Sequence, residues 1–351
     1  MKIIICGSYI SSNFGNIHEE PLSIALRNYG HHVISFNLLN VKKNYFPLVK
    51  KMGIRFHLGK YTKDINKNLI EFISKESPDA IFLYNCPWIK LKTLNSIKPF
   101  CKNIIVYCND DPFSKKKYFF NRNIRDSYKV ADTIYSYRPQ NIENIKKLYN
   151  RDSKLLLPSF NRENFINHFE FKKIKTSFSK RKYDVCFIGH YENDNRKEYL
   201  IKLIKSNKKI LIAGDEIWNS LFSKFKDSHP NLEIKGFLNS AEYVKSLSQS
   251  KSALCLFSSI NSDVLTRRVF EIPASGAYLL SKESYLVNNE IGLENYINFK
   301  NLKEFTKKIN NIGEYLKNFS MLENCHKLVW KKHNSFERYS LVNDDLKKKI
   351  I

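Results

Sequence analysis

The 351-residue chain is short of acid: 34 aspartates and glutamates stand against 59 lysines and arginines, a net charge of +25. Other features are missing too. No two of its seven cysteines (6, 86, 101, 108, 186, 255 and 325) form a Cys-x-x-Cys pair, their number is odd, and several lie in apolar runs. A disulfide framework is a poor fit to that pattern, and reduced core thiols are expected. No apolar run approaches the roughly 20 residues that span a bilayer. The opening Met1-Lys2-Ile3-Ile4-Ile5-Cys6 is too short for the core of an export signal and runs directly into Gly7, so it reads as a buried strand and a cytoplasmic location is expected. Neither Gly-x-Gly-x-x-Gly nor Asp-x-Asp occurs, and there is no low-complexity tract or internal repeat.

Hydrophobic residues make up 42% of the chain and aromatics 14%, enough to exclude wholesale disorder. The length exceeds what one core usually supports, so two domains are expected. The positive charge would attract phosphate, nucleic acid or an anionic lipid surface. The excess is mostly lysine in a chain also rich in asparagine and isoleucine, however, and lysines scattered over solvated faces account for it equally.

Short apolar runs alternate with longer amphipathic ones, the pattern of βα units on a parallel sheet. In the first half the predicted strands are residues 3–6, 33–36, 80–84, 103–108, 133–135 and 154–157. Residues 161–182 turn basic and lose the strand signal, marking a linker. A second α/β series follows, with strands at 183–188, 209–213, 232–234, 252–257 and 278–280, and helical spacing after Leu302. The expected division is 1–165, 166–335, and a C-terminal helix over 336–351 that packs back on the first domain.

Thr266-Arg267-Arg268-Val269-Phe270-Glu271-Ile272-Pro273-Ala274-Ser275-Gly276 is the richest stretch. Arginine forks suit a diphosphate, and Glu271, one turn beyond Arg268, can accept hydrogen bonds from a ribose diol. Asp263 precedes Glu271 by eight residues, giving Asp-x7-Glu. An Arg–Glu ion pair on an exposed face is the plainer reading of the same spacing. Pro273 is comfortable only in a first turn, so the helix starts late or is kinked. Gly189 ends the first strand of the second half and would admit a phosphate to the backbone, with His190 after it and Arg196 at a helix start. Turn chemistry explains the glycine as well, and Arg196 reads equally as a surface charge. Gly214 ends the next strand, and Gly236 lies near the end of the one after.

In the first half Asn109-Asp110-Asp111-Pro112 puts two carboxylates at a strand end. One of them facing a ligand could take a proton from a hydroxyl, its neighbour raising its pKa. Asparagine, aspartate and proline are also ordinary turn residues. The polar loop Gly7 to Asn16, with His18, Glu19 and Glu20, is positioned to meet a second substrate, although His18 reads as a plain helix-start residue too.

The Asp184-Val185-Cys186-Phe187-Ile188-Gly189 strand, Arg196, the 266–276 stretch, Asn109-Asp110-Asp111-Pro112 and Leu157-Pro158 together resemble the CgeB-type, spore-maturation-protein-like glycosyltransferases. The arrangement is also similar to that of phage DNA β-glucosyltransferases. The resemblance implies a GT-B fold, two Rossmann-like α/β domains facing across a cleft, with the acceptor on the N-terminal domain and a nucleotide sugar, in all expectation a UDP-sugar, on the C-terminal one. It implies that Arg196, Arg268 and Glu271 hold the diphosphate and ribose, with Thr266, Arg267 and Asp263 beside them. It puts Gly236, Phe237 and Leu238 at the base, and makes Asp110, or Asp111 one register on, the catalytic base. An inverting, metal-independent transfer without a cofactor is expected. Glycan, lipid-linked sugar, protein and DNA are all open as acceptors, and lysine-rich faces could contact nucleic acid or membrane. A DNA-binding or DNA-modifying protein and a UDP-sugar epimerase of the same fold are the alternatives.

Overall fold

The computed structural model describes residues 1–9, 19–41, 44–115, 118–259 and 263–348. Two compact units result: the first runs to Leu157 and resumes at Tyr339, and the second covers Pro158–Arg338.

The first unit contains β1 (Lys2–Gly7), β2 (His32–Asn37), β3 (Ala80–Tyr84), β4 (Asn103–Cys108), β5 (Thr133–Ser136) and β6 (Lys154–Leu155), in the order β2-β1-β3-β4-β5-β6. All pairs are parallel. The unbroken apolar runs follow from this, because a parallel sheet is covered on both faces. Side chains alternate between the two faces. Ile4, Cys6, Ile81, Leu83, Ile104 and Val106 pack with Ile65, Leu69 and Ile73, which stand at i, i+4 and i+8 on the helix Gly59–Glu76. Ile3, Ile5, Phe82, Tyr84, Ile105 and Tyr107 pack with Leu22, Ala25 and Leu26 of the helix Glu19–Asn28.

That second face is completed from the far end of the sequence. Tyr339, Val342 and Leu346 of the helix Ser335–Lys348 lie in the same cluster as Ile3 and Ile5. Asp345, buried, accepts a hydrogen bond from Tyr135 Oη at 2.6 Å and pairs with Lys154 Nζ at 2.5 Å. Burial alone would raise the Asp345 pKa, but the bonds from Lys154 and Tyr135 outweigh it and hold the carboxyl below its ordinary value.

The second unit contains β7 (Tyr183–Gly189), β8 (Ile210–Gly214), β9 (Leu232–Lys235), β10 (Ser250–Cys255), β11 (Tyr278–Lys282) and β12 (Ile297–Phe299), in the order β12-β11-β10-β7-β8-β9 and again all parallel. The chain moves outward from β7 to β9, then returns to the other side of β7 as β10. The loops after β7 and β10 therefore flank the point where strand order reverses, the usual ligand crevice of an open α/β sheet. β12 has only three residues, too few for a pattern to show in sequence. The 161–182 stretch is no bare linker. It forms the helices Arg162–Phe165 and Phe171–Ser177, fixed by buried Phe165, Ile174 and Phe178. Among the described residues all seven cysteines are free and buried, and no helix is long and apolar enough to cross a membrane.

Candidate functional site

Three strands of the second unit lead into a ledge of glycine, β7 and β8 ending on Gly189 and Gly214 and β9 being followed directly by Gly236. Gly189 pairs with Gly214 in the β7–β8 register, and Gly214 N donates to Gly236 O at 3.2 Å. A Cβ on Gly214 would stand 2.1 Å from Gly189 O, and one on Gly236 would stand 2.0 Å from Glu216 Oε1. Gly214 also has φ +132°, which side-chain-bearing residues rarely adopt. Trp218 Nε1 donates to Gly189 O at 2.8 Å from within the core. Next to the ledge, Phe237 is exposed with its ring 5.9 Å from that of His190, while Leu238 is buried. His190 Nδ1 lies 3.3 Å from Asp215 Oδ1, and the other oxygen of Asp215 accepts from Tyr191 N. Asp215, directly after Gly214, thus shapes the β7 loop. Sequence reasoning passed over Asp215, although a carboxylate directly after a strand-end glycine is a readable signal.

Arg196 begins the helix Arg196–Ile204 but does not face outward. Its side chain is 4% exposed, and its donors are taken up by the protein: Nη1 to His190 O at 2.6 Å, Nε and Nη2 to the two oxygens of Asp194 at 3.0 and 3.1 Å, and Nη2 to Phe257 O at 3.3 Å. Glu192 Oε1 lies 3.1 Å away. The other oxygen of Glu192 accepts from Ser258 Oγ and Ser259 N, so one guanidinium and one carboxylate bind the β7 loop to the β10 loop. Arg196 is therefore not the solvated surface charge of the plainer reading: most of its fork is engaged inside the protein.

Arg268 behaves differently. The helix Arg268–Ala274 does not start late enough to put Pro273 in its first turn, the position expected for it; the proline lies inside it, in its last turn. Arg268 is half-buried at the first position, with Nη1 3.1 Å from Ile188 O and 3.5 Å from where a Gly189 Cβ would be. Among the described residues that carbonyl and the nearby Cys255 thiol are its protein partners, so much of its fork is uncommitted. Burial pushes the Cys255 thiol up to about 11 even beside this cation, leaving it an inert neighbour.

Glu271 is buried on the same helix, but its ion pair is with Arg267, not with Arg268. Arg267 Nε approaches Glu271 Oε1 to 2.6 Å, an electrostatic contact whose angle is not that of a hydrogen bond. The i, i+4 spacing explains the choice: residue 267 sits a full turn back, whereas Arg268 points to the β7 end. Glu271 Oε2 accepts from Tyr243 Oη at 2.7 Å. Burial, then the Glu271 charge, pushes the Tyr243 hydroxyl well above its ordinary range, so it remains a donor. Tyr243 has no signal in the sequence; it reaches Glu271 from the separate helix Ser240–Ser248. Behind Phe270, the ring of His333 stacks at 4.3 Å and 8°. Thr266 Oγ1 lies 3.4 Å from Arg268 N, and Asp263 N donates to Ser258 O at 2.9 Å.

In the first unit the two aspartates after β4 separate by role. Asp111 Oδ1 accepts from Phe113 N at 3.0 Å and Asp111 O from Asn121 Nδ2 at 3.2 Å, so Asp111 builds the turn. Arg138 Nη1 holds Asn109 O at 3.1 Å, and Arg125 Nη1 holds Pro112 O at 2.7 Å. Among the described residues the half-exposed Asp110 carboxylate has no hydrogen-bond or ion-pair partner. His18 lies outside the described residues. Glu19 is buried and accepts from Ser8 N and Tyr9 N, in the space where a Cβ on Gly7 would otherwise stand.

Residues 196–341 match the family described as glycosyl transferase-like. No curated protein matches the sequence. Sucrose-phosphate synthase from Thermosynechococcus elongatus superimposes with a TM-score of 0.72 at 10% identity, covering 100% of this chain and 99% of its own. HepE of Anabaena, solved with UDP and glucose, gives 0.63 at 10% identity over 99% and 100%. A trehalose-6-phosphate protein of E. coli, bound with UDP-2-fluoro glucose, gives 0.67 at 10% identity over 99% of both. The fold is GT-B, two Rossmann-like units with parallel sheets, as the sequence led one to expect.

Proposed function

We propose that this chain, of GT-B fold and glycosyl transferase-like over residues 196–341, transfers a sugar from a UDP-sugar to an acceptor hydroxyl, with inversion. The observation that carries the reading is the position of Arg268: a partly uncommitted guanidinium beside the Gly189 ledge, one helical turn from a buried carboxylate. Glycine lets a diphosphate approach the strand end, and the guanidinium meets charge that grows on the leaving group as the bond to the sugar breaks. No metal step is invoked. Glu271 receives ribose hydroxyls on lone pairs not used by Tyr243 and Arg267. Phe237 and the backbone of Gly236 border the base. Arg196 serves this site indirectly, by fixing the loop that carries His190.

On the acceptor side, Asp110 is the proposed base. Its carboxylate takes the hydroxyl proton as the acceptor oxygen bonds to the anomeric carbon and the phosphate oxygen departs with its electron pair, which inverts that carbon in one displacement. Asp111, engaged in its own turn, is not required to react. The supporting contrast is that, among the described residues, one of two adjacent carboxylates is occupied and the other is not.

Calorimetric titration with UDP tests the donor half. Arg268→Ala is expected to weaken UDP by about 10- to 100-fold, the worth of one or two charge-assisted hydrogen bonds. Glu271→Gln should act in the same direction. Equal affinity of Arg268→Ala and the native chain for UDP, or no binding by either, defeats the assignment.

A further inference from the structure

The helix Pro47–Phe56 of the first unit wears its apolar face outside. Leu48, Met52 and Phe56 stand at i, i+4 and i+8 and so share one face, the arrangement that ordinarily turns toward a core. Here the helix rests on its glycine instead. Gly53 is buried against Tyr61, whose Cβ lies 2.9 Å from where a Gly53 Cβ would be, and Ile54 is half-buried beside it. The large residues are left in water: Phe46 is 82% exposed, Leu48 68% and Met52 52%, with Val49 and Phe56 also exposed. The patch extends to a second segment. The Phe56 ring lies 6.0 Å from that of Phe120, which in turn lies 6.0 Å from exposed Phe119.

Cations border this face. Lys50, Lys51 and Arg55 are exposed on the same ten residues, which include no acid. Arg55 lies over the Phe56 ring at 5.8 Å and Arg122 over the Phe119 ring at 5.4 Å, placing guanidinium groups at the edges of the apolar surface. Contiguous exposed apolar surface with a charged rim marks a binding face. We propose that this face docks on an anionic lipid bilayer, the helix lying in the plane of the headgroups with Phe46, Leu48, Met52 and Phe56 immersed and the lysines and arginines among the phosphates. Phe46 and Leu48 project instead of lining a recess, which suits a fluid surface more than a preformed groove. The absence of acid from the helix gives the charge complementarity. Ten residues lie on a bilayer but do not cross it. The inference is independent of the donor site, since none of these residues takes part in it.

The test is flotation of the whole chain with phosphatidylcholine vesicles made with and without phosphatidylglycerol. The native chain is expected to float with the anionic vesicles and much less with the neutral ones. The double variant Leu48→Ser, Met52→Ser should lose at least about tenfold in partition, as should Lys50→Glu, Lys51→Glu, since such helices need both burial and charge. Both variants should keep native UDP affinity and melting temperature. The proposal is overturned if the native chain ignores anionic vesicles, or if the Leu48, Met52 variant binds them undiminished, which would assign the attraction to the general +25 charge. It is equally overturned if sedimentation shows a dimer that this variant converts to monomer, making a second copy the occupant.

Discussion

The helices Arg196–Ile204 and Arg268–Ala274 of the second unit each begin with an arginine, and the two side chains have little in common beyond their chemistry. Arg196 is buried and surrounded by acceptors, two carboxylates and two carbonyls; Arg268 is half-buried and holds one carbonyl. A cation with most of its donors engaged at home stabilises the protein, whereas one with more donors to spare can stabilise something else. The two aspartates after β4 repeat the contrast, Asp111 closing a turn and Asp110 remaining open. In both pairs it is the surrounding acceptors and donors, not the residue type, that separate scaffold from site.

The sharpest way to break the second contrast is to neutralise each aspartate in turn. Asp110→Asn should lower turnover by about 10²- to 10⁴-fold, the usual worth of a general base, with UDP affinity unchanged. Asp111→Asn should retain most of its turnover, because an asparagine oxygen can still accept from Phe113 N. Single-turnover assays on both variants check this, and equal losses would erase the distinction.

The first contrast predicts a loss of stability for Arg196 and of affinity for Arg268. Arg196→Ala leaves Asp194 and Glu192 without their buried cation and should cost about 3–5 kcal/mol in denaturant unfolding. Acid should weaken the same unit. Burial pushes His326 down to about 4 and His333 down to about 3, so both stay neutral in the native state. The unfolded chain takes up these protons first, near its ordinary histidine pKa of about 6.5. Stability from these groups is therefore complete above that value and is lost as pH falls toward about 4 and about 3. Melting curves between neutral pH and pH of about 5 should descend, and His333→Phe, which keeps the stack on Phe270, should flatten the slope. The smallest effect is expected for Arg268→Ala on stability, within about 0.5 kcal/mol; a larger loss would make Arg268 another scaffold cation.

The sheets were legible because strands buried on both faces must be apolar throughout, and runs such as Ile3 to Cys6 and Ile210 to Ala213 announce this directly. Ile297–Phe299 was too brief to register, the helix Phe171–Ser177 was hidden by its lysines, and the four-residue helix Arg162–Phe165 was too short to show. At the site, residue types and strand-end glycines could be read, but pairing could not. Glu192, Asp194 and Arg196 alternate within one loop, a local hint that the arginine is satisfied at home. Glu271 offers no such hint of Tyr243, which arrives from another helix, because a hydrogen bond across 28 residues leaves no trace in spacing.

The helix Ser335–Lys348 has a consequence for the order of folding. The layer beneath β1 needs Tyr339, Val342 and Leu346, which a ribosome adds only after the entire second unit. The half that is translated first is thus finished last. Its exposed underside must wait through the synthesis of about 180 residues at roughly 5–20 per second, an interval of some ten seconds or more in which a chaperone has reason to stand guard.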